Sequence, residues 1–271
     1  MSVLSELGLT SNDVVKLRSL TAQALVDAQT KLGSAGAFSS VRGASFEPVI
    51  DASVLKERPL DAIEKGSCKE VTVMAGSNLE EGKLFALMGN PDILNLDEEG
   101  MLRRLQRLLP AEHITSMVEK YRKALSKRDL PVTPFEIMAA ISGDQMFRMP
   151  NIRLCEFQEK LGSPSYGYVF TWKSAAPHLG ACHALDVGFI FGNVNEEFHG
   201  TGPEADKLCL CMQDAWTTFA KNDDPSTPGL SWPRYGKDRK MMVFGTNNHV
   251  ETAPYEDERA AWDGMPNKWV G

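Results

Sequence analysis

Two short runs constrain this chain more than anything else in it. Val71-Thr-Val-Met-Ala75 and Tyr168-Val-Phe-Thr-Trp172 are rich in β-branched and aromatic residues, and a polar, glycine-containing loop follows each. The first shows no apolar–polar alternation, which fits a strand buried on both faces. Met241-Met-Val-Phe244 forms a third such run, and helical periodicity fills the intervals. Strands alternating with helices specify an α/β fold with a mainly parallel sheet.

The helical intervals are well marked. Thr21 caps a run in which Leu25, Ala28 and Leu32 recur at helical spacing, and a further short helix opens at Arg58-Pro59 and stops at Gly66. Residues 97–128 form a charged helical hairpin whose second arm carries Ile114, Met117, Val118, Tyr121 and Leu125 as one stripe. Thr133-Pro-Phe-Glu136 is a capping box opening a helix toward Phe147, and Pro150 is expected to interrupt it. Leu208, Cys211, Met212, Ala215 and Phe219 give the helix at about 205–221 its apolar face.

Composition removes several classes of function. With 271 residues, 42% of them hydrophobic, the chain can bury a sizeable core, and a formal net charge of −7 disfavours nucleic acid and anionic membrane as partners. No apolar run reaches the length of a membrane span, and the first residues lack the basic start of a secretory signal. Five irregularly spaced cysteines make no disulfide framework, so reduced thiols and a cytoplasmic location are expected. Cys209 and Cys211 point in different directions on a helix, and no C-x-x-C or H-E-x-x-H spacing occurs, so neither a metal nor another cofactor is implied.

The chemistry resides in the two loops. Ser77-Asn-Leu-Glu-Glu-Gly82 follows the first strand and Gly180-Ala-Cys-His183 the second. A lone histidine in such a loop is most often structural, but a carboxylate after one strand and a histidine after a later one is how an α/β-hydrolase presents its acid and base. The nucleophile motif G-x-S-x-G is absent from the sequence: at Gly33-Ser-Ala-Gly36 its first glycine position is Leu32, and a loop is expected there. Cys182, beside His183, is a poor substitute, because adjacent loop residues rarely point the same way. His178 could line a pocket mouth, and His113, His199 and His249 read as surface positions.

Taken together, these residues resemble the type-B carboxylesterases, the family of para-nitrobenzyl esterases and cholinesterases. Residues 48–85, PVIDASVLKERPLDAIEKGSCKEVTVMAGSNLEEGKLF, resemble its PVVDG…G.N.DEG..F stretch, and residues 172–192 its W.S…GA.H..E.PFVFG stretch. The segment from Ala215-Trp216 to Trp232-Pro-Arg-Tyr235 resembles its W..FA..GDP…WP.Y stretch. Asp186 stands where the family commonly has Glu, Gly188 where it has Pro, and Glu80 where it has Asp.

The resemblance implies that Glu81 is the acid and His183 the base of a Ser-Glu-His triad, with Asp144 as a second acid supporting the histidine loop. An ordinary cap or salt bridge is the other reading of Asp144. The serine elbow and the oxyanion loop of the family precede everything that matches here. Residues 1–271 therefore read as the C-terminal part of an α/β-hydrolase domain, with a helical lid or regulatory region around 97–160. The implied substrate is a small-molecule carboxylic ester, and the implied partner is an N-terminal half carrying the serine, without which the chain is expected to be inactive. Self-association through an exposed strand edge is a further expectation. The alternative is a non-catalytic α/β-hydrolase-like binding module.

Overall fold

A computed structural model describes residues 3–34, 48–89 and 91–270. The chain divides into two compact units between Val49 and Ile50. The first holds α1 (Val3–Glu6), α2 (Val14–Ser19) and α3 (Ala22–Ser34). Thr21 caps α3 as the sequence implies, its hydroxyl accepting from the Ala24 N–H at 3.2 Å, and Ala28 is buried. The loop expected at Gly33–Gly36 lies partly outside the described residues.

The second unit carries the sheet. In chain order its elements are α4 (Pro59–Glu64), β1 (Val73–Asn78), α5 (Gly82–Gly89), α6 (Glu98–Leu105), α7 (Ala111–Lys127), α8 (Pro134–Gly143) and α9 (Met149–Lys160). There follow β2 (Ser165–Phe170), α10 (Leu185–Phe191), α11 (Pro203–Asn222), β3 (Lys240–Phe244), β4 (His249–Thr252) and α12 (Glu256–Arg259). The strands lie in the order β1-β2-β3-β4, the first three parallel and β4 antiparallel to β3.

The three expected strands are present and neighbour one another in chain order, but their ends differ. β1 begins at Val73, because the Val71 carbonyl is taken by Gln158 Nε2 at 2.7 Å, and it runs on through Ser77 and Asn78. Those two residues had the composition of a loop, yet they pair with Val169 and Phe170 of β2. β2 in turn ends at Phe170, and Trp172 swings away to donate its indole N–H to the His199 carbonyl at 2.8 Å. β4 was not foreseen: all four of its residues are exposed, so it carries no apolar pattern to read.

Side-chain alternation sorts the core into two layers. Tyr166, Tyr168 and Phe170 of β2 and Met242 and Phe244 of β3 face one way, against Leu185 and Phe189 of α10, Leu208, Met212 and Ala215 of α11, and Trp232. Val169 and Met241 face the other way, against Cys155 of α9 and Tyr235. All six residues of β2 are buried, so it is the central two-sided strand. Burying a side chain such as Phe189 contributes roughly 1.5–3 kcal/mol.

Thr133 caps α8, accepting the Glu136 N–H at 3.3 Å, with Pro134 in the first turn. Pro150 does not break the helix that follows. The chain stays helical from Pro134 to Lys160 through one widened turn, Asp144–Arg148, in which the Met149 N–H reaches back to the Asp144 carbonyl. A proline ring collides with the carbonyl four residues before it, and a turn of five residues relieves that collision without ending the helix.

Candidate active site

The end of β1 and the end of β2 deliver two loops to the same edge of the sheet. They are strapped together by two hydrogen bonds: the Glu80 N–H donates to the Ala181 carbonyl at 2.9 Å, and the Ala181 N–H donates to Glu80 Oε2 at 2.8 Å. Gly180, at φ +58°, lies flat against the Glu80 carboxylate, where a Cβ would overlap it. Glu80 also accepts from Lys83 at 2.6 Å, and Lys83 reaches Glu136 at 2.8 Å. With Glu80 committed to this strap, Glu81 faces the other way.

Glu81 is 6% exposed and lies 2.7 Å from His183, Oε2 to Nδ1. Its other oxygen accepts the Asn78 N–H at 2.7 Å. The imidazole is also set by two rings, Phe85 at 4.8 Å and Phe147 at 4.6 Å between centroids. About a third of the His183 side chain is exposed, at 35%, and its Nε2 makes no hydrogen bond among the described residues. Beyond the histidine, Ala184 adopts a left-handed φ of 63°, which turns the loop sharply into α10.

The pair is electrostatically coupled. The hydrogen bond to Glu81 raises the His183 pKa above the usual histidine value, against the opposing effect of partial burial. Burial pushes the Glu81 carboxyl above the ordinary carboxylate range, against the pull of His183 and the Asn78 N–H. An imidazole whose Nδ1 is held by a carboxylate presents Nε2 for proton transfer, which is the geometry of a general base with its orienting acid.

Asp144 lies elsewhere. Its Oδ1 accepts from Arg148 Nε at 2.7 Å, and its Oδ2 bonds Arg148 and the Tyr121 hydroxyl. The Trp262 indole donates to that same hydroxyl at 2.7 Å. Among the described residues its carboxylate bonds only these groups, and its link to His183 runs through the widened turn it opens, which also carries Phe147.

Other sequence expectations sort as follows. Cys182 is fully buried, and burial pushes its thiol up to about 12, so it offers no thiolate. His178 lines a cleft of about 240 Å³ with Leu79, Glu80, Lys83, Leu125 and Leu130. His113 and His249 are exposed, but His199 is buried, with its Nδ1 accepting the Asn195 N–H at 3.1 Å. Its Nε2 lies where a Cβ on Gly188 would be, so the glycine at the family's proline position makes room for it. All five cysteines are free. Among the described residues no group of three His, Cys, Asp or Glu side chains is placed to hold a metal, and no helix is long and apolar enough to cross a membrane. Asn78, Phe85 and Phe147 were not singled out from the sequence, although each falls inside a quoted motif or beside one.

A mainly parallel sheet flanked by helices, with a carboxylate–histidine pair on loops after successive strands, defines an α/β-hydrolase fold. Solved structures agree: the carboxylesterase EST55 of Geobacillus stearothermophilus superposes with a TM-score of 0.81 at 28% identity, over 96% of this chain and 53% of that one. The chain belongs to the carboxylesterase family, whose sequence model matches residues 4–262. The para-nitrobenzyl esterase of Bacillus subtilis is 27% identical over 262 residues, 94% of this chain and 50% of that protein. An acetylcholinesterase of Leptinotarsa decemlineata is 24% identical over 263 residues, 88% of this chain and 40% of that protein. The chain thus spans about half the length of the curated relatives it matches.

Proposed function

We propose that this chain supplies the acid, Glu81, and the base, His183, of a Ser-Glu-His triad that hydrolyses small-molecule carboxylic esters in the cytoplasm. The serine and its oxyanion donors come from a separate N-terminal segment. The observation that carries the reading is the 2.7 Å contact between Glu81 and His183 Nδ1, with Nε2 left for a nucleophile. In the reaction Nε2 takes the serine proton as the hydroxyl attacks the ester carbonyl, and the Glu81 carboxylate stabilises the imidazolium. The same nitrogen then returns the proton to the leaving alcohol. Asp144 acts at one remove, by fixing with Arg148 the turn that presses Phe147 on the imidazole.

The separate nucleophile is supported by the lack of any serine in G-x-S-x-G among the 271 residues. The outer edge of β1, the terminal strand of the sheet, is where such a segment would pair, or where two copies would associate in its absence. Hydrolysis of a short-chain p-nitrophenyl ester tests the proposal. The chain alone should match its own His183→Ala variant, and adding a segment that bears the serine elbow should produce turnover that both His183→Ala and Glu81→Gln reduce. Covalent labelling of the 271-residue chain alone by an organophosphate, with turnover, would overturn it. Sedimentation of the chain alone should show association, and a cooperatively folding monomer at micromolar concentration would argue against the exposed edge.

A further inference from the structure

We infer that Asn78 is the positioning residue that keeps the Glu81 loop and the His183 loop in register, its backbone held by the acid and its side chain by the loop carrying the base. This rests on the reading of Glu81 and His183 as a catalytic pair and deepens it.

Asn78 is the last residue of β1 and is 1% exposed. Its N–H donates to Glu81 Oε1 at 2.7 Å. Its side-chain Nδ2 donates to the Cys182 carbonyl at 2.6 Å and to Asp186 Oδ1 at 3.2 Å. One amide therefore grips the chain on both sides of His183, just before it and three residues after it. The far oxygen of Asp186 is held in turn by the Tyr168 hydroxyl at 3.0 Å. Tyr168 lies on β2 directly opposite Gly76, so the clamp is anchored to the sheet at both ends.

The chemistry of the position selects an amide. Both partners of the side chain are acceptors, which fixes Nδ2 toward them and Oδ1 away. Oδ1 is buried with no hydrogen-bond partner among the described residues. An apolar side chain would fill the same space without that desolvation cost but would leave the Cys182 carbonyl and Asp186 without this donor. An aspartate would add a third carboxylate beside Glu81 and Asp186 and could not donate when ionised. The neutral double donor is what the site uses.

Without the side chain the Glu80–Ala181 strap remains, but the tie from β1 to the chain on both sides of His183 is lost. The whole chain labelled with ¹⁵N in its histidine rings tests this, as the ring nitrogens report both the midpoint of titration and the tautomer. His183 is assigned by the signal that disappears in His183→Gln, and buried His199 reports whether the fold persists. Glu81→Gln should lower the His183 midpoint by about one pH unit and release the neutral ring from the Nδ1–H tautomer. Asn78→Ala should lower it by about half a unit and mix the tautomers, with His199 unchanged, and Asn78→Ser should fall between Asn78→Ala and wild type. If Asn78→Ala fails to fold, Asn78→Ser carries the same test. A melting temperature that falls while the His183 midpoint and tautomer stay as in wild type would reduce Asn78 to a packing residue and overturn the inference. A His183 unaffected by Glu81→Gln would instead remove the catalytic pair itself.

Discussion

Two buried carboxylates lie at the widened turn, Asp144 as its first residue and Glu81 against Gly143 just before it, and they are used in opposite ways. Asp144 is enclosed with Arg148, which is itself 2% exposed, and with the Tyr121 hydroxyl, which is 0% exposed. Burial and the neighbouring carboxylate raise the Tyr121 pKa well above its usual value, and the negative charge of Asp144 raises that of Arg148 despite burial. Tyr121 and Arg148 therefore keep their protons near neutral pH. Glu81 is buried to a similar degree, but its partner is an imidazole one-third exposed, a side chain that can exist with or without its second proton. Equal burial with different partners gives a fixed ion pair in one place and, on the proposed reading, a proton-transfer pair in the other.

The largest expected effect that tests this contrast is on stability. Asp144→Ala or Arg148→Met strands a buried charge and should cost about 3–5 kcal/mol in denaturant unfolding, whereas Glu81→Gln strands none, because its imidazole partner can be neutral, and should cost only about 1 kcal/mol. Equal losses from the two sites would erase the distinction. Next in size is Gly143→Ala, at the junction between them. A Cβ there would lie 2.8 Å from the Gly82 nitrogen and 3.2 Å from Glu81 Cβ, so the acid loop must move. The expected cost is about 1–3 kcal/mol by chemical denaturation, together with a lowered His183 midpoint by NMR.

The smallest effect is on pH dependence. The His183 pKa is raised in the fold, so the stability it contributes is fully present below the unfolded value near 6.5 and is lost as pH rises through the folded value. Activity of an enzyme reconstituted as proposed should follow the opposite course, because a histidine base works only when neutral. The acid limb of kcat/KM should therefore lie above pH ~6.5 and move down in Glu81→Gln. A limb that stays in place would mean that the pair does not govern the proton.

Much of this contrast was legible before any fold was known. Glu81 and His183 follow strand-like runs, so chemistry and local pattern agreed on them. A salt bridge was one of the two readings of Asp144, and its bond to Arg148 lies four residues away on the same helix; its enclosure was not legible, because the Tyr121 hydroxyl reaches it from 23 residues before in sequence and Trp262, 118 after it, bonds that hydroxyl. Asn78 was obscured for a related reason: Ser-Asn reads as a loop, and its pairing with β2 overrides that tendency. His199 has the polar neighbours of a surface residue, and its burial depends on the space left by Gly188. The widened turn left no local sign beyond Pro150, and exposed β4 left none.

That turn has a consequence for how the chain tolerates changes of length. It holds one residue more than a regular helix needs, and Met149 bonds back to Asp144 across the surplus. Deleting a single residue inside that turn would remove the surplus and let the helix close to its ordinary pitch with its two flanks still in phase, whereas deleting one from the regular turns of α8 would rotate everything beyond it by about 100°. In the second case Gly143 would leave the back of Glu81 and Phe147 would leave the imidazole. Single-residue deletions in α8 should therefore be far less tolerated than one inside the widened turn, and the phase of one helix becomes a determinant of alignment at a site two loops away.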